Sequence, residues 1–384
     1  MSGSSQSPIA AKSRLCFFAA ALLSIASLAP GQTPTQSTST QSFDDISHAA
    51  QQAYDAQHDD DAARLFAEAV KLKPDWAEGW WAIGMIDYQH NLYPECRDAL
   101  GHMVALQTSA APGFALLGLC EFRTKQYDLS FQHLKKAHVL IPATEASGQL
   151  MNIANYHLAM LLTQQGAFEF AQRFYGEDVK VGDNADIMFA AGLPALRLAM
   201  LPSEVPKDQH DVVAMAGKTF WSTITHPPEQ VEADFKALVA AYPSFPNVHY
   251  FYGTYLAVHH PEQSVTEFLA ELKVQPDSVP ARVQLALHFI NVQKPADALK
   301  YAREAVELSP ESVGAQLALA EALKAGGDDQ GALAAYQTAE KLDPDSATVR
   351  LYLVNAYRAV GRTDDMRREK EEFDRLKKAE QGWP

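Results

Sequence analysis

At 384 residues, with 47 % hydrophobic and 21 % charged side chains, the chain has the balance of an ordinary folded protein, which excludes wholesale disorder. Its formal net charge of -15 repels phosphate backbones and anionic bilayers. Nucleic acid is therefore not expected as a partner, and protein partners stay open.

The first expected element is an export signal over residues 1–31. Lys12 and Arg14 give a positive start, and the uncharged run Leu15–Ala29 is followed by Pro30-Gly31. The run is 15 residues long, short of the about 20 that span a bilayer, so cleavage after Gly31 is expected. A retained membrane anchor is the alternative. Cys16 opens the apolar run, whereas a lipidated cysteine would follow it. Export would place the remaining Cys96 and Cys120 in a compartment that permits a disulfide. Both fall on inward helix faces, and the expectation is two buried free thiols.

Residues 32–42 form a Ser/Thr/Gln-rich linker without apolar periodicity. Two helical blocks follow, 43–200 and 210–380. Between them Leu201–Gln209 carries two prolines in close succession, which no continuous helix tolerates. Within the blocks the expected units are 43–76, 77–110, 111–144, 148–181, 210–245, 246–278, 279–312 and 313–346. A final hairpin at 347–380 has a highly charged second helix, suited to a terminal cap that meets water. Residues 182–230 contain a helix-like run, Ala185 to Ala191, among scattered prolines. They read as degenerate repeats with an inserted loop, or as a break between two solenoids.

The units rest on a period. Pro276, Pro310 and Pro344 are spaced 34 and 34, as are Pro74, Thr108 and Pro142. Trp80 and Phe114, Gly84 and Gly118, and Ala298 and Ala332 keep the same spacing. A fixed period of this size marks a stacked architecture. Small residues at Gly84, Gly118, Ala62, Ala298 and Ala332 let helix axes approach. Trp80, Phe114, Phe66 and Tyr336 fill the grooves between them. Gly166, Gly327 and Gly361 fall where the turn inside a hairpin belongs.

Trp80-x-x-Ile83-Gly84 and Phe114-x-x-Leu117-Gly118 resemble the first-helix signature of the tetratricopeptide repeat (TPR) family. Ala62-x-x-x-Phe66 and Ala332-x-x-x-Tyr336 resemble its second-helix signature. The resemblance covers most of 43–378 and is weak over 182–230. It implies an all-α, right-handed superhelical solenoid of stacked antiparallel hairpins, with a groove that takes peptides or partner domains.

The chemistry-bearing motifs of zinc proteases, serine hydrolases and nucleotide-binding loops are absent. His259-His260, with His249 and Asp277 nearby, reads as a solvated loop because zinc needs three or four converging ligands. Asp59-Asp60-Asp61 reads as a charged helix start favoured by the helix dipole. No metal, cofactor or small-molecule substrate is expected.

The inward positions of the first helices include Tyr54, Trp81, Met85, Tyr88, Phe122, Arg123, Tyr250, Leu287, Asn291, Asn355 and Arg358. An aromatic stripe beside arginines suits peptide binding, and inter-repeat packing is the competing account of the same aromatics. Family members that grip a terminal carboxylate use lysines and asparagines where this chain has Trp81, Met85, Ala115 and Leu119, which implies an apolar or aromatic ligand instead. The expected function is an exported scaffold, periplasmic or extracellular, that binds protein partners and catalyses nothing. The alternatives are a membrane-anchored assembly factor or chaperone-like adaptor, and then an enzyme or regulatory subunit.

Overall fold

The computed structural model describes residues 42–141, 148–178 and 184–379. The expected signal peptide, the linker up to Gln41, and Pro142 lie outside them. The described part is all-α and carries no strand. Its hairpins begin with α1 (Phe43–Asp55) and α2 (Asp59–Leu72), α3 (Ala77–Gln89) and α4 (Tyr93–Leu106), and α5 (Ala111–Arg123) and α6 (Tyr127–Leu140). Next come α7 (Gln149–Gln164) and α8 (Phe168–Asp178), then α9 (Ala185–Ala195), α10 (His210–Thr225) and α11 (Pro228–Ala241). The remaining hairpins are α12 (Val248–His259) with α13 (Pro261–Val274), α14 (Val279–Asn291) with α15 (Pro295–Leu308), α16 (Val313–Ala325) with α17 (Asp329–Leu342), and α18 (Ala347–Ala359) with α19 (Thr363–Ala379).

The period is visible as repeated contacts. A Cβ built on Gly84 would lie 2.6 Å from Leu100 Cγ, and one built on Gly118 would lie 2.7 Å from Leu134 Cγ. Each leucine follows its glycine by the same interval, so the two glycines occupy equivalent places on successive hairpins. Ala62, Ala298 and Ala332 are buried against their partner helices, as are Phe66 and Phe114. Tyr336 is buried too, its hydroxyl donating to Glu321 and its ring stacked on Tyr352. Trp80 is only half-buried and stacks on His102, with ring centroids 4.4 Å apart.

Helix starts recur as well. Ser278, Ser312 and Ser346 follow one another by one full period. They cap α14, α16 and α18 by accepting from a backbone N–H three residues on. A second recurring bond reaches back six residues from the first helix to the repeat-closing proline. Trp80 Nε1 donates to the Pro74 carbonyl at 2.9 Å, Gln316 Nε2 to Pro310 at 2.9 Å, and Arg350 Nη2 to Pro344 at 2.8 Å. His249 Nε2 makes the same contact with Pro243 at 3.1 Å.

In most hairpins the turn places one residue in the left-handed region; the α12–α13 turn, made by His260 at φ -142°, does not. Gly166, Gly327 and Gly361 supply it as expected, at φ 78°, 85° and 77°. The same place in other hairpins is held by Gln57, Asn91, Lys125 and Gln293, at a cost in Cβ–carbonyl crowding. Lys125→Gly and Gln293→Gly should therefore each stabilise the protein by about 0.5–1 kcal/mol, the relief exceeding the added chain entropy of glycine. Gly327→Ala, with open space around its Cβ, should lose a similar amount. Denaturant midpoints of the three variants check the sign.

Between the blocks, Leu201–Gln209 forms two 3-10 turns, Pro202–Glu204 and Lys207–Gln209. They connect α9 to α10, which pack closely on each other, so a helix pair spans the proline-rich stretch. The helix-like run extends past Ala191 to Ala195 and takes Pro194 into its last turn.

At the far end, the charged surface of α19 is laced with i,i+3 and i,i+4 ion pairs such as Arg367–Asp364 and Lys370–Asp374. Its inner side buries Leu376 and Glu369, the latter on Arg350 of α18 at 2.8 Å.

One expectation is corrected. Cys96 and Cys120 are joined by a disulfide, with their α carbons 6.3 Å apart. The bond links α4 to α5, the second helix of one hairpin to the first of the next. Cys96 holds the small-residue place that Ala62 and Ser130 hold in the flanking repeats. Packing inward there also brings it against the following hairpin, which the expectation of free thiols overlooked.

Candidate functional site on the first-helix face

First helices of successive hairpins approach each other: α3 with α5, α5 with α7, α7 with α9, α12 with α14 and α14 with α16. Among the described residues, no second helix comes comparably close to the next second helix. A stack whose first helices crowd together bends toward them, so their outward positions line the inner side of the bend.

The sequence-predicted residues divide among separate places on these helices. Tyr88, Phe122 and Arg123 come together where α3 and α5 end, against the middle of α7. Tyr88 meets Tyr93 edge to face at 5.8 Å, and Tyr93 donates its hydroxyl proton to Asn91 Oδ1 at 2.6 Å. Phe122 and Tyr127 repeat this aromatic pair one period later, at 5.3 Å. The Arg123 guanidinium lies 5.9 Å from the centre of the Tyr93 ring. Burial pushes the Tyr88 phenol up, and Arg123 beside it pulls in the opposite direction. Arg123 is exposed and makes no ion pair among the described residues.

Beneath them His157 is buried, with Phe122 edge-on at 4.7 Å. Its Nδ1 faces the Ile153 carbonyl at 2.8 Å, so Nδ1 carries the proton, because a carbonyl can only accept. Burial depresses the imidazole to about 4, and Arg123 adds to the depression. The ring is thus neutral at neutral pH, and Arg123 is the cation of this cluster.

Tyr250 belongs to a second cluster and is buried, not free on the groove surface. Arg197, in the left-handed region at φ 53° just past α9, is clasped there. Its guanidinium is 4.7 Å from the Phe168 ring and 5.4 Å from the Tyr250 ring, and its Nη1 is 2.6 Å from Glu169 Oε1. That charge is already neutralised. Met85, expected on the groove, is likewise buried. Trp81 is half-buried, and Tyr54 packs edge to face on Phe66 at 6.3 Å.

Asn355 and Arg358 are exposed near the C-terminal end, joined by an Arg358 Nη1 to Asn355 Oδ1 bond of 3.2 Å. Leu287 and Leu351 are exposed on first helices of the same block. The histidines and aspartates weighed as metal ligands go separate ways. His249 faces Glu267, His260 faces Glu232, and Asp59 faces His90. Among the described residues no group of three or more His, Cys, Asp or Glu side chains is placed to hold a metal ion. No helix among them is long and apolar enough to cross a membrane.

Sequence reasoning missed Tyr93, Tyr127, His157 and Arg197. Tyr93 and Tyr127 carried a readable signal, since they are one period apart and open successive second helices. Arg197 carried none, because its place depends on a left-handed residue and a contact between distant hairpins.

Comparison with known proteins agrees with the repeat. The tetratricopeptide repeat family matches residues 283–365. No curated protein matches the sequence. Among solved structures, a MamA RS-1 double mutant is 18 % identical, over 44 % of this chain and 96 % of that one, with a TM-score of 0.39. MamA from residue 41 onward, of Desulfovibrio magneticus RS-1, is 20 % identical over 45 % of this chain and 96 % of that one, with a TM-score of 0.37. The Cut9 and Hcn1 hetero-tetramer of the APC/C is 13 % identical over 87 % and 72 %, with a TM-score of 0.34. Scores at this level add no argument about fold or partners. The family match over 283–365 and the helix hairpins that continue its frame to both sides give this chain the stacked-hairpin architecture of tetratricopeptide repeats.

Proposed function

We propose that this protein is an exported interaction scaffold without chemistry of its own, which holds a segment of a partner polypeptide on the first-helix face of α3, α5 and α7. The observation that carries the reading is Arg123, an exposed cation set among Tyr88, Tyr93 and Phe122 with no carboxylate of its own among the described residues. Tyrosine and arginine concentrate binding energy at protein interfaces because each offers a large, preorganised contact surface and a polar end. The segment that suits this cluster carries an apolar or aromatic side chain next to an acidic one. The Cys96–Cys120 bridge supports an oxidising compartment and agrees with the signal read at residues 1–31.

The experiment is capture from the cell envelope with the wild-type chain and with Tyr88→Ala/Arg123→Ala, quantified by mass spectrometry. A partner's recovery should fall about tenfold or more in the double variant, the loss typical of a truncated interface centre, with helical circular dichroism unchanged. Equal recovery of every captured protein by both chains would remove the cluster from function. N-terminal sequencing of the same material should begin at Gln32. An intact Met1 in the membrane fraction would replace export by tethering.

A further inference from the structure

Among the described residues, four hairpins carry a side-chain hydrogen bond to the carbonyl of the proline six residues upstream. Three of the donors, the Trp80 indole, the Gln316 amide and the Arg350 guanidinium, keep their proton throughout the physiological range. The fourth is His249, whose proton is conditional. Its Nε2 faces the Pro243 carbonyl at 3.1 Å while its Nδ1 faces Glu267 Oε2 at 2.6 Å. A carbonyl and a carboxylate both only accept. Both bonds can therefore exist together only when both ring nitrogens carry hydrogen.

We propose that His249 is a pH-sensitive tie at the α11–α12 junction, in which the charged imidazole joins the bend between those helices to α13 and loss of its proton releases one of the two bonds. The sign follows from the geometry: the tie is complete in acid and incomplete as pH rises. On α13 the charged groups facing the ring are Glu267 and Glu271. Glu271 already accepts from the backbone N–H groups of Asn247 and Tyr250, at 2.9 and 3.1 Å. Neutralising His249 also leaves these two carboxylates, one helical turn apart, without the cation between them and the bend. Among the described residues, no ion pair from α11 or α14 reaches the ring.

The place matters because α11 and α12 share the sparsest contact of any consecutive pair of helices among the described residues. A junction with few packed neighbours opens at low free energy. The contact that joins α11 to the α12–α13 turn, His260 Nε2 to Glu232 Oε1 at 2.9 Å, needs only one ring proton as a hydrogen bond. A neutral ring can still make that bond, whereas His249 must give up one of its two.

Amide hydrogen exchange on the full chain tests this. Protection factors over residues 243–256 are compared at about pH 5.5 and about pH 8, a range that brackets imidazole titration, after correction for intrinsic exchange rates. In the wild type, protection should fall about tenfold between the two, the worth of one hydrogen bond to a charged group. His249→Gln supplies a permanent donor, as Gln316 does, and should show no such fall. A flat wild-type profile, or the same fall in His249→Gln, overturns the proposal. Should His249→Gln lose helical signal, Glu267→Gln decides. A glutamine can donate to a bare Nδ1, so the neutral ring keeps both bonds and the pH dependence must vanish; a full fall in that variant also overturns the proposal.

Discussion

Reducing the Cys96–Cys120 bridge is expected to destabilise the first three hairpins by about 3–4 kcal/mol, the chain-entropy value for a loop of this size. The two cysteines are 24 residues apart in sequence and fully buried between α4 and α5. Two thiols in the same core would still fill it as small apolar groups. The loss therefore comes mainly from the freedom regained by the unfolded chain, and little from a cavity. Because the hairpins of α3 to α6 pack on adjacent hairpins, the effect should stay local. Exchange in α3 to α6 should quicken under reductant or in Cys96→Ala/Cys120→Ala, while α14 to α17 remain as protected as before. If thiol labelling proves complete reduction and both the melting temperature and the exchange of α3 to α6 are unchanged, the bridge contributes nothing to stability.

That bridge also shows where sequence reasoning stops. The period identified the helices, because a residue such as Gly84 or Gly118 reports on its own hairpin, whose partner position on the second helix is fixed by the repeat. Contacts between hairpins are not fixed in this way. Cys96 and Cys120 sit at unlike places in adjacent units, and no spacing rule pairs them. The frame also slips. Gly253 repeats the close approach, here with Phe268 Cε1 at 2.6 Å, but it falls a single position short of four full periods after Gly118. The frame already shifts before α7, where the left-handed turn residues Lys125 and Gly166 are 41 apart, and it shifts back before Gly253, across a span that includes 182–230, where the resemblance is weak. The candidate site divides along the same line. Tyr88 and Phe122 were legible because they are one period apart, and Tyr93 and Tyr127 could have been. The Arg197 clasp joins residues from α8, from the stretch just past α9, and from α12, and no periodicity points to it.

The α9–α10 crossing should be the least tolerant place in the described chain. A Cβ on Gly192 would lie 2.1 Å from the Val213 carbonyl oxygen, and one on Gly217 would lie 1.8 Å from the Met188 carbonyl oxygen. Each would also press on the other glycine's backbone nitrogen, at 2.9 and 3.2 Å. At Gly84 the obstacle is the Leu100 side chain, which can turn aside. Here it is backbone on backbone, and the helices themselves must separate. Gly192→Ala or Gly217→Ala should therefore cost about 3 kcal/mol or more, at or above the upper end of ordinary overpacking. Gly314→Ala is the control, since its Cβ meets nothing closer than Ser312 Oγ at 3.9 Å. It should leave the melting temperature unchanged or slightly raised. Separating α9 from α10 also shifts the end of α9, where Arg197 begins its reach to Phe168 and Tyr250. Proteolysis within 196–210 should accelerate in the two crossing variants and not in the control. A Gly217→Ala chain that melts with the wild type would mean the helices can part here at no cost, and the close crossing would then have no part in holding the two blocks together.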